Sequence, residues 1–310
     1  IGVRLVGSEM CIRDSGRDAL NANTTGADNT AVGNNALDAN TTSAQNTAVG
    51  SGALGANTGG TPNTAVGYLA LTANTTGEYN VAVGALAGDA IDDGSLNTAL
   101  GYYALSAATT ADSNTAVGGQ ALAVNTSGGS NTAVGMNAMV ANTTGANNTA
   151  VGAYALDALT TVAECTAVGY QAMSANTTGA DGTALGYQAL LVNTTGGYNT
   201  AIGHSALAAN TTGAYNTAVA RSALLSNTTA SNNTAVGYDS LKVNTTGTYN
   251  VAVGAYSLTA NTTASHNTAV GESAGELITE GFANTMLGRA AGNATTTGDY
   301  IICIGYATDA

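Results

Sequence analysis

The sequence predicts an all-β fold, a parallel β-solenoid or β-roll of 17-residue coils. Three observations predict it. An NTAVG-like block begins at Asn29 and returns every 17 residues, through Cys165 and Gly182 to Asn284 and Ile301, with no insertion or deletion. Seventeen residues are too few for a two-helix repeat, which needs more than about 30. The unit is rich in Gly, Asn and Thr, which disfavour helix, so short strands and tight turns remain, one coil per unit. A rise of about 4.8 Å per coil gives a rod of roughly 80 Å from the seventeen units.

The idealised unit is N-T-A-V-G-Y-x-A-L-x-x-N-T-T-G-x-x, numbered here as positions 1 to 17. Position 5 is Gly in every unit except at Ala220, which fits a backbone site of positive φ or of close approach by another segment. Position 15 is Gly in most units, with Ser43, Ala111, Val162, Ala230 and Ala264 as exceptions. The two glycines mark two corners, with one strand over about positions 1 to 4 and a second over about 7 to 11. Position 4 is always aliphatic (Val32, Leu100, Ile202, Leu287, Ile304) and is expected to face the core. Position 2 shares its face by the two-residue period of a strand. Position 3, nearly always Ala apart from Met286 and Cys303, is then expected to face outward. With the small residues of position 8 it would form stripes that admit a neighbouring chain, the residue-level argument for an oligomer. Position 9 is usually Leu or Met but is Gly at Gly88, Gly275 and Gly292. Two of these units carry Ile91 and Ile278 at position 12 in place of Asn, which points to a shared core volume; Gly292 with Thr295 fits that pairing less well.

Composition limits the function classes. Only 8% of residues are charged, against roughly 25% in ordinary globular proteins. The net charge is −13, Lys242 is the only lysine, and there is no Trp. Scattered acids without basic clusters disfavour nucleic acid as a partner. No apolar run approaches the roughly 18 residues of a membrane span, so no membrane insertion is expected. Cys11, Cys165 and Cys303 are too few and too scattered for a disulfide framework or zinc site.

The first fifteen residues, IGVRLVGSEMCIRDS, match nothing downstream and resemble translated sequencing-adapter read-through at the ends of metagenomic gene models. Residues 1–15 are therefore set aside as a non-native segment, and residues 16–310 are read as a single solenoid domain truncated at both ends.

The most conspicuous chemical signal is the N-T-T of positions 12 to 14. It makes an N-glycosylation sequon at Asn23, Asn40, Asn74, Asn125, Asn142, Asn176, Asn193, Asn210, Asn227, Asn244 and Asn261. The replacements Ile91, Leu159 and Ile278 argue that position 12 points at least partly inward, so the Asn residues read better as a stacked, hydrogen-bonded corner ladder. Such Asn and Thr ladders also resemble ice-binding surfaces, but those want a flat outward T-x-T row, and adjacent Thr residues point to opposite faces of a strand. The G-G-x-G-x-D turns of calcium-dependent β-rolls are absent. His204 and His266 occupy different repeat positions and have no regular acidic partner. Tyrosines gather at positions 6 and 17, where they stack along the rod or offer a sticky face to sugars. An enzyme would need acidic or basic residues clustered on neighbouring coils. The sequence nominates no catalytic, cofactor-binding or metal-ligating residue, no cofactor, and no enzymatic activity.

The stretches Asn131 to Gly135 (NTAVG) and Tyr187 to Gly196 (YQALLVNTTG) resemble the repeats of bacterial and phage fibre proteins. These include the heads of trimeric autotransporter adhesins, whose unit is usually shorter than 17 residues, and tail fibres that often carry a C-terminal self-cleaving chaperone domain. The resemblance covers residues 16–310 and implies a left-handed β-roll with three chains side by side. It further implies a homotrimer at a bacterial surface or on a virion, outside the cell, meeting a glycan or protein receptor on a host surface. The chain stops within a unit at Ala310 and reads as a piece of a longer fibre. The alternative is a monomeric solenoid that binds a repetitive ligand, ice or polysaccharide.

Overall fold

A computed structural model describes residues 13–308 of the chain. It is a parallel β-solenoid with one short strand per coil, from β1 (Arg13–Ser15) and β2 (Thr30–Val32) to β18 (Ile302–Ile304). The chain divides into two compact units, residues 1–153 and 154–310, built in the same way. Within each, neighbouring strands pair in parallel with a register of one period, as in Thr47↔Thr64 and Thr200↔Thr217. Residues Arg13–Ser15, inside the stretch set aside from the sequence, pair with Thr30–Val32. Residues 1–12, with Cys11, lie outside the described residues.

The strand covers only positions 2 to 4, and its orientation reverses the sequence expectation. Ala at position 3 is fully buried, as at Ala48 and Ala201, while Thr at position 2 and the aliphatic residue at position 4 face solvent. Val32, Leu100 and Leu185 are 41%, 44% and 46% exposed. The small residues at position 8 are buried too (Ala53, Ala206, Ser240). The stripes of positions 3 and 8 thus line the interior, and the inference that they admit another chain falls with them. The physical reason is width. Opposite the strand stands the position-9 Leu, the one large side chain that a regular coil buries. A methyl group fills the gap left between them, and Val does not fit there. Period-2 alternation then places the Asn of position 1 and the Ala of position 3 inside, and the residues of positions 2 and 4 outside.

Positions 7 to 11 form turns, not the second strand expected. Leu and Met at position 9 all lie in the left-handed region with φ between 48° and 53°, as Leu54 (50°) and Met173 (52°) do. That conformation costs an L-residue about 1–2 kcal/mol. It persists because it lays the side chain into the core and keeps the backbone paired from coil to coil, as in Leu54 N–H donating to Ala70 O at 3.0 Å. Position 5 behaves as expected: its glycines have φ between 125° and 147°, and a Cβ on Gly33 would overlap the Gly50 carbonyl. Ala220 takes the same place at φ 110°.

The exchange between positions 9 and 12 is a volume exchange. A Cβ on Gly88 would lie 2.9 Å from Ile91 Cδ1, and one on Gly275 the same distance from Ile278 Cδ1. The Gly292 coil reaches the same end by another route. Its missing side chain is replaced by Met286 at position 3, whose Sδ and Cε occupy the space a Cβ on Gly292 would need.

Candidate contact surfaces

Two asparagine columns hold the coil shut. At position 1, Asn216 donates from Nδ2 to Ala230 O at 2.8 Å and accepts the Asn233 backbone N–H of the next coil on Oδ1 at 3.0 Å. At position 12, Asn227 donates from Nδ2 to the same Ala230 O at 3.0 Å and to Asn210 Oδ1 of the preceding coil at 2.8 Å. This second column runs unbroken from Asn176 to Asn261 in unit 2. Of the eleven sequon asparagines, ten are 0% exposed and Asn23 is half-buried. The corner ladder expected from the sequence is present, and the buried amides have no room for a glycan. The position-1 column was not anticipated. Its signal was available, since the Asn of position 1 shares strand parity with the small Ala of position 3.

Cys165 stands in the position-1 column and imitates Asn. Its Sγ lies 3.4 Å from Gly179 O and accepts the Gly182 N–H, while burial holds the thiol pKa above its ordinary value. Cys303 is also buried, and neither is in a disulfide. At Gly182 the missing side chain is replaced by Met173, whose Cε lies 2.5 Å from where a Cβ would stand.

Three kinds of surface face solvent. The first is the strand face of positions 2 and 4, with no charged residue at either position from Thr30 to Ile304. The second is the position 13–14 edge. There the position-13 hydroxyls donate to the next coil's carbonyl (Thr194 Oγ1 to Thr211 O, 3.0 Å), which leaves the exposed position-14 residues free of that duty. The third is the aromatic corners. Tyr198 stacks on Tyr215 with centroids 4.9 Å apart and planes within 1°, and Tyr249 stacks on His266 at 5.1 Å. The Asp181 carboxylate, by its charge and then by a hydrogen bond, raises the Tyr198 phenol pKa. His204 stacks on Tyr187 at 4.9 Å. Stacking along the coils, one of the two sequence readings of the tyrosines, is observed.

Among the described residues no three His, Cys, Asp or Glu side chains gather as a metal site, and no helix is long and apolar enough to cross a membrane. No family model matches the chain, and no curated protein proved similar to it.

Proposed function

We propose that the chain is a structural and adhesive fibre segment of a bacterial surface adhesin or a phage-type tail fibre, similar to the trimeric autotransporter heads. It works outside the cell as a projecting rod and a multivalent contact surface, by geometry and not by catalysis. The observation that carries this reading is the division of labour in the coil. Nearly all polar bonding is spent inward, coil to coil, while the same Thr and Val side chains are presented outward on successive coils. A surface repeated in register binds weakly at each coil and strongly in sum. The copies of a homotrimer would meet on the uncharged Thr/Val face, where a chain of net charge −13 approaches its copy with least repulsion. Interface cores are depleted of charged residues, as this face is. The receptor is a host-surface glycan or protein. Sedimentation equilibrium tests the assembly: the expected mass is three times the 30.1 kDa chain, and a clean monomer overturns the trimer.

The same Thr/Val columns favour one second reading, a monomeric solenoid that binds a repetitive ligand such as ice. Inhibition of ice recrystallisation by a monomeric chain would establish it, and inactivity of such a monomer would dismiss ice.

A further inference from the structure

Unit 2 carries a surface row that the position-1 and position-12 columns do not explain. At positions 6 and 7 of seven successive coils stand Tyr154, Tyr170, Tyr187, His204, Arg221, Tyr238 and Tyr256. The inner rings stack face to face, Tyr170 on Tyr187 at 5.6 Å and 17°, Tyr187 on His204 at 4.9 Å and 21°. Arg221 caps the face of Tyr238 at 5.7 Å. At each end a tyrosine turns edge-on, Tyr154 at 83° to Tyr170 and Tyr256 at 82° to Tyr238.

The turned rings matter because stacking hides ring faces. Within the inner row Tyr187 is stacked against both Tyr170 and His204, and the Arg221 guanidinium covers a face of Tyr238. Tyr154 and Tyr256 lie with their planes across those of the rings they touch and are not sandwiched in the stack. They stand six coils apart in sequence, which is about 29 Å at the solenoid rise. Beside the row runs a polar column: Gln188 Nε2 donates to Gln171 Oε1 at 2.9 Å, and Ser205 Oγ bonds His204 Nδ1 at 2.9 Å. Among the described residues no carboxylate pairs with Arg221, and the nearby Asp239 is neutralised by Lys242 at 2.9 Å.

We infer that this row binds an extended neutral polysaccharide strand of about seven hexopyranose units, laid along the coils with sugar rings on Tyr154 and Tyr256. Phenol hydroxyls, glutamine amides and the Arg221 guanidinium between them meet the sugar hydroxyls. One coil advances about 4.8 Å, close to the length of one β-1,4-linked hexose, so a repeating ligand meets a repeating surface. Aromatic faces flanked by amides and hydroxyls suit a ligand with both apolar CH faces and hydroxyl edges. A neutral strand also escapes the repulsion that a chain of net charge −13 exerts on polyanions. The inference rests on the reading of the chain as a contact surface.

The test is calorimetric titration of the full chain with heptamers and dimers of β-1,4-linked glucose, mannose and N-acetylglucosamine, and with a galacturonate heptamer. Expected is binding of at least one neutral heptamer, at least tenfold tighter than its dimer. Tyr154→Ala and Tyr256→Ala should each weaken it about tenfold, while Tyr79→Ala, an exposed tyrosine of unit 1, leaves it unchanged. Tyr256 is exposed and Tyr154 half-buried, and circular dichroism of each variant verifies folding. Three results overturn the inference: no neutral heptamer binds, binding is indifferent to both tyrosines, or the galacturonate heptamer is preferred and lost with Arg221→Ala. A trimer that binds no heptamer fails this inference alone. A monomer that binds one through Tyr154 and Tyr256 sustains it and removes the trimer.

Discussion

The two asparagine columns differ in what they tolerate. In position 1, Asn gives way only to Cys165, Gly182 and Ile301 in the seventeen units from Asn29 onward. Over the same units position 12 admits Ile91, Ala108, Leu159, Ile278 and Thr295. Both columns donate to the same carbonyl, as Asn216 and Asn227 do to Ala230 O. The difference lies in the acceptor. Position-1 Oδ1 satisfies a backbone N–H of the next coil, a group that every residue except Pro keeps. Position-12 Oδ1 mainly satisfies the next amide side chain, which can be exchanged for a hydrocarbon if the volume balances; Asn176 Oδ1 also accepts the Gly179 N–H of its own coil. The cost appears at the joint: Asn74 Oδ1, Asn142 Oδ1 and Asn261 Oδ1 are buried without a partner where Ile91, Leu159 and Ile278 follow. A side chain that serves the backbone is therefore harder to replace than one that serves its own kind.

The largest effect is expected from breaking the volume balance. Gly88→Leu alone should destabilise by about 2–5 kcal/mol, from overpacking against Ile91 and Leu71 together with a left-handed Leu. Adding Ile91→Asn rebuilds the regular coil and should recover most of it, and denaturant midpoints of the two singles and the double give the coupling. Additive effects would refute the volume exchange. Next, Asn216→Ala should cost about 2–4 kcal/mol by leaving the Asn233 N–H unpaired, with faster hydrogen exchange at that amide. Asn227→Ala should cost about 1–2 kcal/mol, since it strands only side-chain groups, Asn210 Oδ1 and one hydrogen of Asn244 Nδ2, and no backbone amide. Equal costs for the two would erase the distinction between the columns. The smallest effect leaves stability untouched. Burial raises the Cys165 thiol pKa, so little thiolate exists at mildly alkaline pH. Alkylation at Cys165, followed by peptide mass spectrometry, should be slow in the folded chain and fast after unfolding.

The solenoid and its register were legible because a period without insertions leaves a chain few other folds. Position 5 was legible for the same reason, since a Gly in nearly every coil demands an unusual φ. The facing of the strand was not. An aliphatic residue at position 4 reads as core in an ordinary sheet, and only the width of this interior, set by Leu37 or Leu190 against Ala31 or Ala184, shows that a methyl group suffices. The left-handed Leu at position 9 could not be read either, because nothing local favours it. It is imposed by the stack. Of the surfaces, the corner tyrosines were visible by position, but the edge-on turn at Tyr154 and Tyr256 depends on what occupies the adjoining coils.

The constant register has a consequence for how such a chain can change. Each coil of a unit meets only the coils before and after it, at an offset of one period. Removing or duplicating one whole coil remakes every bond with an equivalent partner and alters side-chain contacts only at the joint. Removing a single residue shifts each later residue against its partner and puts Val where Ala must be buried. Length is thus the property that recombination between repeats can vary almost without penalty, while small insertions within a coil should be purged.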